Sequence, residues 1–288
     1  MQQAIRKNAV GIVTGGASGI GYAIARRLAT EEMKVVVFDK DETALNAAVT
    51  ELLEKSPTRT VYGVAGDIPT PSSRRTLLRE ALSLGDIGLL VNNAGILKGA
   101  GPWESIEQWR QTMEINFWSI VELQAPFVDR LLNQESCSAI VNVGSKEGIT
   151  APPGNAAYNV TKAALQVLTE QLAHELRTRA GSKVTAHLLL PGYTFTAMNF
   201  PRMAATSPTP PGTWSADQVA ERIVERMNAG DFCLYCQDEE VTWETDRRRL
   251  QWSIDDIIKN RPAWSRWHPD FQAQFQAYVT GADQVKNQ

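Results

Sequence analysis

Cysteine and histidine are scarce in this sequence. Three of each stand among 288 residues: Cys137, Cys233 and Cys236, and His174, His187 and His268. Metal sites need several donors at close spacing, and Cys233 with Cys236 is the one close pair. A C-x-x-C pair does redox work at a helix N-terminus. Residues 232–236 read instead as a strand, on which positions i and i+3 face opposite sides. With no second pair to complete a zinc site, these thiols are expected to be buried and structural, and no metal is expected. Long apolar runs are missing too; none approaches the roughly 20 residues of a membrane-spanning helix. Charge of one sign is missing as well. The 29 lysines and arginines nearly balance 32 aspartates and glutamates, for a net charge of −3. That balance argues against a nucleic-acid footprint. Arg247-Arg248-Arg249, the one basic cluster, reads as a solvated helix face. Repeats and low-complexity linkers are absent, so one domain over 1–288 is expected. Residues 1–8 run straight into an apolar strand. That leaves no room for a signal peptide, and the expected location is the cytoplasm.

What is present is a sizeable apolar fraction, 43%, in a regular alternation. Strands read at 8–14, 34–38, 60–65, 87–91, 138–143, 183–189 and 231–236. Helices read between them at 19–31, 41–55, 70–83, 104–132, 155–180 and 215–229. Such alternation implies an α/β fold with a doubly wound parallel sheet of about seven strands and right-handed crossovers. Ligands then bind at the C-terminal ends of the strands. Two segments fall outside the alternation. Residues 193–214 mix Met198, Phe200 and Met203 with several prolines, which prevent one regular helix. A lid over a substrate is expected there. Residues 238–288 form a helical C-terminal extension, with one helix at 241–260 and a final helix carrying Phe271, Phe275 and Tyr278. Its aromatics must bury their area on the chain's own core or on a partner subunit; the alternative is that Trp264 or Trp267 walls a pocket.

The first strand leads into Thr14-Gly15-Gly16-Ala17-Ser18-Gly19-Ile20-Gly21 and then a helix. A glycine-rich turn lets backbone approach a pyrophosphate, and the helix N-terminus supplies free N–H groups and a positive dipole end. The second strand ends in Asp39, eighteen residues beyond Gly21, where a carboxylate can accept hydrogen bonds from an adenosine ribose. An acid there repels a 2′-phosphate and favours NAD. Lys40, next in the chain, could receive that phosphate, so NADP stays open.

Tyr158 and Lys162 stand four residues apart, on one helix face, and Ser145 lies thirteen residues before the tyrosine. A phenol titrates near 10, too high for a base at neutral pH, and a fixed ammonium nearby is expected to lower it. A serine hydroxyl beside the phenol can hold the reacting oxygen. The trio can move a proton to or from an alcohol or carbonyl oxygen.

In these motifs the sequence resembles the short-chain dehydrogenase/reductase family over roughly residues 8–200. The family's T-G-x-x-x-G-x-G is matched by residues 14–21, and its N-N-A-G by Asn92-Asn93-Ala94-Gly95. Its adenine-contacting acid is matched by Asp67, followed by Ile68. Asn116, Ser145, Tyr158 and Lys162 match its catalytic set, and Pro191-Gly192, with Thr194 and Thr196 beyond, its P-G motif. Gly144 and the charged pair Lys146-Glu147 depart from the common pattern.

The resemblance implies a Rossmann-like three-layer fold and hydride exchange between NAD(P) and a small-molecule alcohol or ketone. Tyr158 would be the general acid/base, Lys162 would lower its pKa and hold the nicotinamide ribose, and Ser145 would orient the substrate oxygen. Asn116 would hold a water linking Lys162 to solvent. It also implies a homodimer or homotetramer built through the helices at 104–132 and 155–180. A non-redox isomerase, dehydratase or cyclase on the same scaffold, and a nucleotide sensor, are the alternatives. The pocket is expected from Ile96, Leu97, Trp103, residues 146–155 and Tyr193, with Lys146, Glu147 and Asn155 as polar contacts. Such walls suit a mid-sized, partly hydrophobic substrate.

Overall fold

The computed structural model describes residues 3–181, 183–204 and 206–281. The expected extension therefore has its last residues, 282–288, outside the described residues. Seven strands form one parallel sheet: β1 Val10–Thr14, β2 Lys34–Asp39, β3 Val61–Ala65, β4 Ile87–Asn92, β5 Ser138–Val143, β6 Val184–Leu190 and, after a short pair described below, β9 Cys233–Tyr235. Their order is β3-β2-β1-β4-β5-β6-β9. The order reverses between β1 and β4, which opens a crevice at the C-terminal strand ends.

Strands β1, β4 and β5 are buried along their whole length. Helices cover both faces, so these strands read as unbroken apolar runs rather than alternating ones. On one face Val13, Val37 and Val91 pack under Ile24 and Leu28 of helix α1 (Gly19–Thr30), Leu45 and Leu52 of α2 (Glu42–Lys55) and Ile223 of α8 (Ala216–Asn228). On the other, Ile12, Val36, Leu90 and Ile140 meet Leu77 of α3 (Pro71–Leu84), Phe127 of α5 (Ser119–Asn133) and Leu176 of α7 (Ala156–Ala180). Successive strand residues serve opposite layers, as a period of two requires. The three-layer α/β fold is the one the alternation implied.

The structure corrects several local expectations. The helix expected at 104–132 is α4 (Ile106–Met113), a five-residue π-helical turn at 114–118, and α5. The wide turn is centred on Asn116, whose amide bonds Ile96 in both directions and so pulls helix and loop together. A short helix not anticipated, α6 (Lys146–Thr150), follows β5. Strand pair β7 (Thr194–Phe195) and β8 (Trp214–Ser215) closes the neck of the 193–214 segment. Cys233 is half-buried and Cys236 buried; both are unpaired, and burial pushes their thiols up to about 11 and about 12.

Beyond the sheet come α9 (Trp243–Ile258), a 3₁₀ turn at Ser265–Trp267 and α10 (Gln272–Thr280). Trp252 is their centre. It meets the Phe275 ring at 5.4 Å, lies 3.9 Å under the Arg261 guanidinium and donates to Ser265 Oγ at 2.7 Å. Trp264 and Trp267 meet edge to face, and neither lines the cavity described next. The arginine triplet is not a solvated face. Arg247 alone is exposed, while Arg248 shares Glu244 with it and donates to the Tyr278 carbonyl, and Arg249 turns inward to Asp246. Among the described residues no helix is long and apolar enough to cross a membrane.

Candidate active site

A cavity of about 650 Å³ opens at the C-terminal strand ends. One end is the glycine turn after β1. Gly15 and Gly19 both have left-handed backbones, φ +61° and +55°, that suit glycine. A Cβ at Gly21 would overlap the Gly15 carbonyl and the Asn93 amide. The turn is clamped from β4: Asn93 Nδ2 donates to the Thr14 and Gly15 carbonyls at 2.9 and 3.0 Å. Thr14 Oγ1 accepts the Asn93 and Ala94 amides, both at 3.0 Å. Helix α1 begins after Ser18 with no side-chain cap and no acid in its first turn, so its N–H groups remain available for an anion. Asp39 is held by two backbone amides, Ala17 N and Asp41 N, each at 3.1 Å. This donor set fits a dinucleotide: uncapped amides for a pyrophosphate, and an oriented carboxylate for a ribose.

The other end holds the proton-handling groups. Ser145 caps α6, accepting from Glu147 N at 3.1 Å. Tyr158 and Lys162 sit on the first turns of α7, started by Asn155, which accepts from Tyr158 N. The Lys162 ammonium is buried, donates to the Val143 carbonyl at 2.7 Å and lies 5.6 Å from the Tyr158 ring centroid. Burial brings it down to about 8. Tyr158 moves the other way, up to about 12. Burial is the main cause; the Ser145 hydrogen bond opposes it, and the Glu147 carboxylate adds to it. The phenol therefore stands above its ordinary value rather than below it, because desolvation dominates. Glu147, half-buried, is itself raised by burial.

Most of the sequence-derived site residues line this one cavity: Gly15, Ser18, Gly19, Ile20, Asp39, Lys40, Asp67, Ile68, Asn93, Ala94, Gly95, Ser145, Tyr158, Lys162, Pro191, Gly192, Thr194 and Thr196. Gly21 and Asn116 stand behind its wall. Asn116 is wholly buried, bonded to Ile96 and, at 3.4 Å, to Thr161 Oγ1. Ile96, Leu97, Lys146, Glu147 and Tyr193 line the cavity as expected, whereas Trp103 does not and is 84% exposed. Asn155 serves as a helix cap instead of a wall. Sequence reasoning missed Asp238, Asp246 and Arg249, which also line it. Asp246, Arg249, Trp252 and Asp256 share one helical stripe at spacings of three and four, and a search for apolar stripes passes over charged members.

Comparison with known proteins bears on this arrangement. The short chain dehydrogenase family profile matches residues 9–206. The chain belongs to that family. As a family member it is an oxidoreductase that interconverts an alcohol and a ketone with NAD or NADP. A 1-deoxy-11-beta-hydroxypentalenate dehydrogenase of Streptomyces exfoliatus is 32% identical over 256 residues, 86% of this chain and 88% of its own. The crystal structure of a short chain dehydrogenase/reductase from Burkholderia phymatum in complex with NAD superposes with a TM-score of 0.76 at 28% identity, covering 88% of this chain and 96% of that one. A 3-ketoacyl-(acyl-carrier-protein) reductase from Brucella melitensis complexed with NADH gives 0.68 at 25% identity, over 81% and 98%.

Proposed function

We propose that this dehydrogenase oxidises a secondary alcohol, with Tyr158 as general base and NAD as preferred cofactor. The observation that carries this is the meeting of Tyr158, Ser145 and Lys162 in the cavity that also contains the glycine turn and Asp39. The phenolate of Tyr158 takes the hydroxyl proton while Ser145 holds the substrate oxygen. While Lys162 keeps its proton, its ammonium, 5.6 Å from the Tyr158 ring, favours the phenolate against the burial that raises the phenol. Asn116 fixes the 96 loop against α7. The bound cofactor supplies the hydride acceptor. In the reverse direction the phenol returns the proton to the carbonyl oxygen.

Asp39 supports NAD, since a carboxylate anchored by two amides accepts ribose hydroxyls and repels a 2′-phosphate. Two similar structures hold NAD or NADH. Ile96, Leu97, Tyr193 and Met198 favour a mid-sized, partly hydrophobic substrate. A similar protein is named for dehydrogenation of 1-deoxy-11-beta-hydroxypentalenate. Segment 193–214 reads as a lid: Thr196, Met198 and Asn199 face the cavity, and the β7–β8 pair forms its neck. The exposed Trp118, at the π-helical turn before α5, and Val160 and Val167 of α7 support a homodimer or homotetramer through these helices.

The test is a cofactor-reduction screen with NAD or NADP and a panel of mid-sized secondary alcohols, read as NAD(P)H absorbance. Turnover that prefers NAD is expected. NADH binding without turnover of any alcohol or matching ketone would count against the reading.

A further inference from the structure

Lys146 has no place in the proton path, yet its side chain is buried at the cavity wall. Its ammonium meets two carboxylates, Asp238 at 2.6 Å and Asp246 at 2.5 Å. Asp246 is completely buried and also accepts from the Tyr235 hydroxyl and, at 3.0 Å, from Arg249. Asp238 uses its other oxygen for the Tyr193 amide, at the start of the 193–214 segment. The Lys146 amide donates to the Pro191 carbonyl at 3.1 Å. Gly192 lies so close to Asp238 that a Cβ there would overlap the carboxylate.

Lys146 thus joins three separate pieces: the turn that carries Ser145, the Pro191-Gly192 loop with the root of the 193–214 segment, and helix α9. Both carboxylates lie beyond residue 206, where the family match ends. Lys146 and Arg249 pair directly with Asp238 and Asp246, so each of these four charges has an opposite partner, and the Arg266 guanidinium stands close by. A surface pair would do little to fix geometry, but a buried, multiply bonded one has few alternative arrangements.

We propose that Lys146 is a positioning residue, locking the C-terminal helix α9 to the Ser145 turn and the lid root, so that the extension sets the placement of the Ser145 hydroxyl. The activity arm of its test rests on the function proposed above; the hydrogen-exchange arm does not.

Lys146→Met keeps the apolar stem and removes the charge. Expected is a fall in kcat of about tenfold to a hundredfold, since misplacement on the ångström scale has that effect. Counting sites by NADH fluorescence titration separates this from simple loss of folded enzyme. KM for NAD should stay within about twofold, and Lys146→Arg should restore most of kcat. Full kcat per NADH-binding site in Lys146→Met would overturn the proposal. Should that variant not fold, Asp246→Asn decides, because it keeps the Asp238 pair; a several-fold loss is expected, and unchanged kcat per site refutes the coupling. Amide exchange over 145–151 and 193–199, followed by mass spectrometry, needs no substrate. Faster exchange in both segments supports the lock, and wild-type rates in both overturn it even if no alcohol has been found.

Discussion

The two ends of the cavity are built from different materials. At the nucleotide end the structure is mostly backbone: glycines at 15, 19 and 21, the uncapped start of α1, and Asp39 held by two amides. At the substrate end it is side chains. Lys146, Asp238, Asp246 and Arg249 come from segments about a hundred residues apart in the chain and pair with one another at the cavity wall. A backbone cradle needs small residues at fixed spacing and tolerates nothing else. A charge cluster needs only that each buried group finds a partner, wherever in the chain that partner lies. The first is a constraint on sequence neighbours, the second on spatial ones.

This contrast can be broken at its strongest point first. Tyr158→Phe removes the proton-transferring hydroxyl and should lower kcat by about 10²–10⁴-fold. NADH affinity, measured by fluorescence, should be unchanged, because the other end of the cavity is intact. Gly21→Ala attacks the cradle in turn. The new methyl would overlap the Gly15 carbonyl, so a loss of about 1–3 kcal/mol is expected in thermal unfolding, with weakened NADH binding. Asp39→Ala should leave the fold alone, weaken NAD about tenfold and erode discrimination against NADP. An unchanged ratio of kcat/KM for the two cofactors would mean that another group reads the ribose.

The smallest expected effect concerns pH. Tyr158 is pushed up to about 12, mainly by burial and in part by the Glu147 carboxylate. A raised phenol must lose its proton to act as base, so alcohol oxidation should accelerate as pH rises toward about 8, where Lys162 begins to lose the charge that favours the phenolate. Glu147→Gln removes a negative charge that disfavours the phenolate. Its pH–rate profile should shift toward lower pH while maximal kcat changes little. A shift toward higher pH, or none, would show that Glu147 does not act on the phenol.

Legibility in the sequence followed the same division. Ser145, Tyr158 and Lys162 were readable because two lie on one helix turn and the third follows a strand by two residues. Asn116 was readable as a motif, but not the π-helical turn around it, which depends on Ile96, twenty residues away in the chain. The arginine triplet misled because local sequence shows charge and not direction. Only packing against Tyr278 and Asp246 turns Arg248 and Arg249 away from solvent. The net position of the phenol was hidden for a related reason: proximity to Lys162 is visible in the spacing, and desolvation is not.

The sequence by itself determined the alternation of strands and helices, the glycine turn, the acid after β2 and the helical pairing of Tyr158 with Lys162. Each depends on residues within a few positions of one another, where backbone geometry alone sets the outcome. Tertiary structure decided which charged residues are buried, where the C-terminal extension docks and how far Tyr158 is desolvated. Those outcomes depend on how much water is excluded and which partner lies opposite, and both are properties of the folded chain.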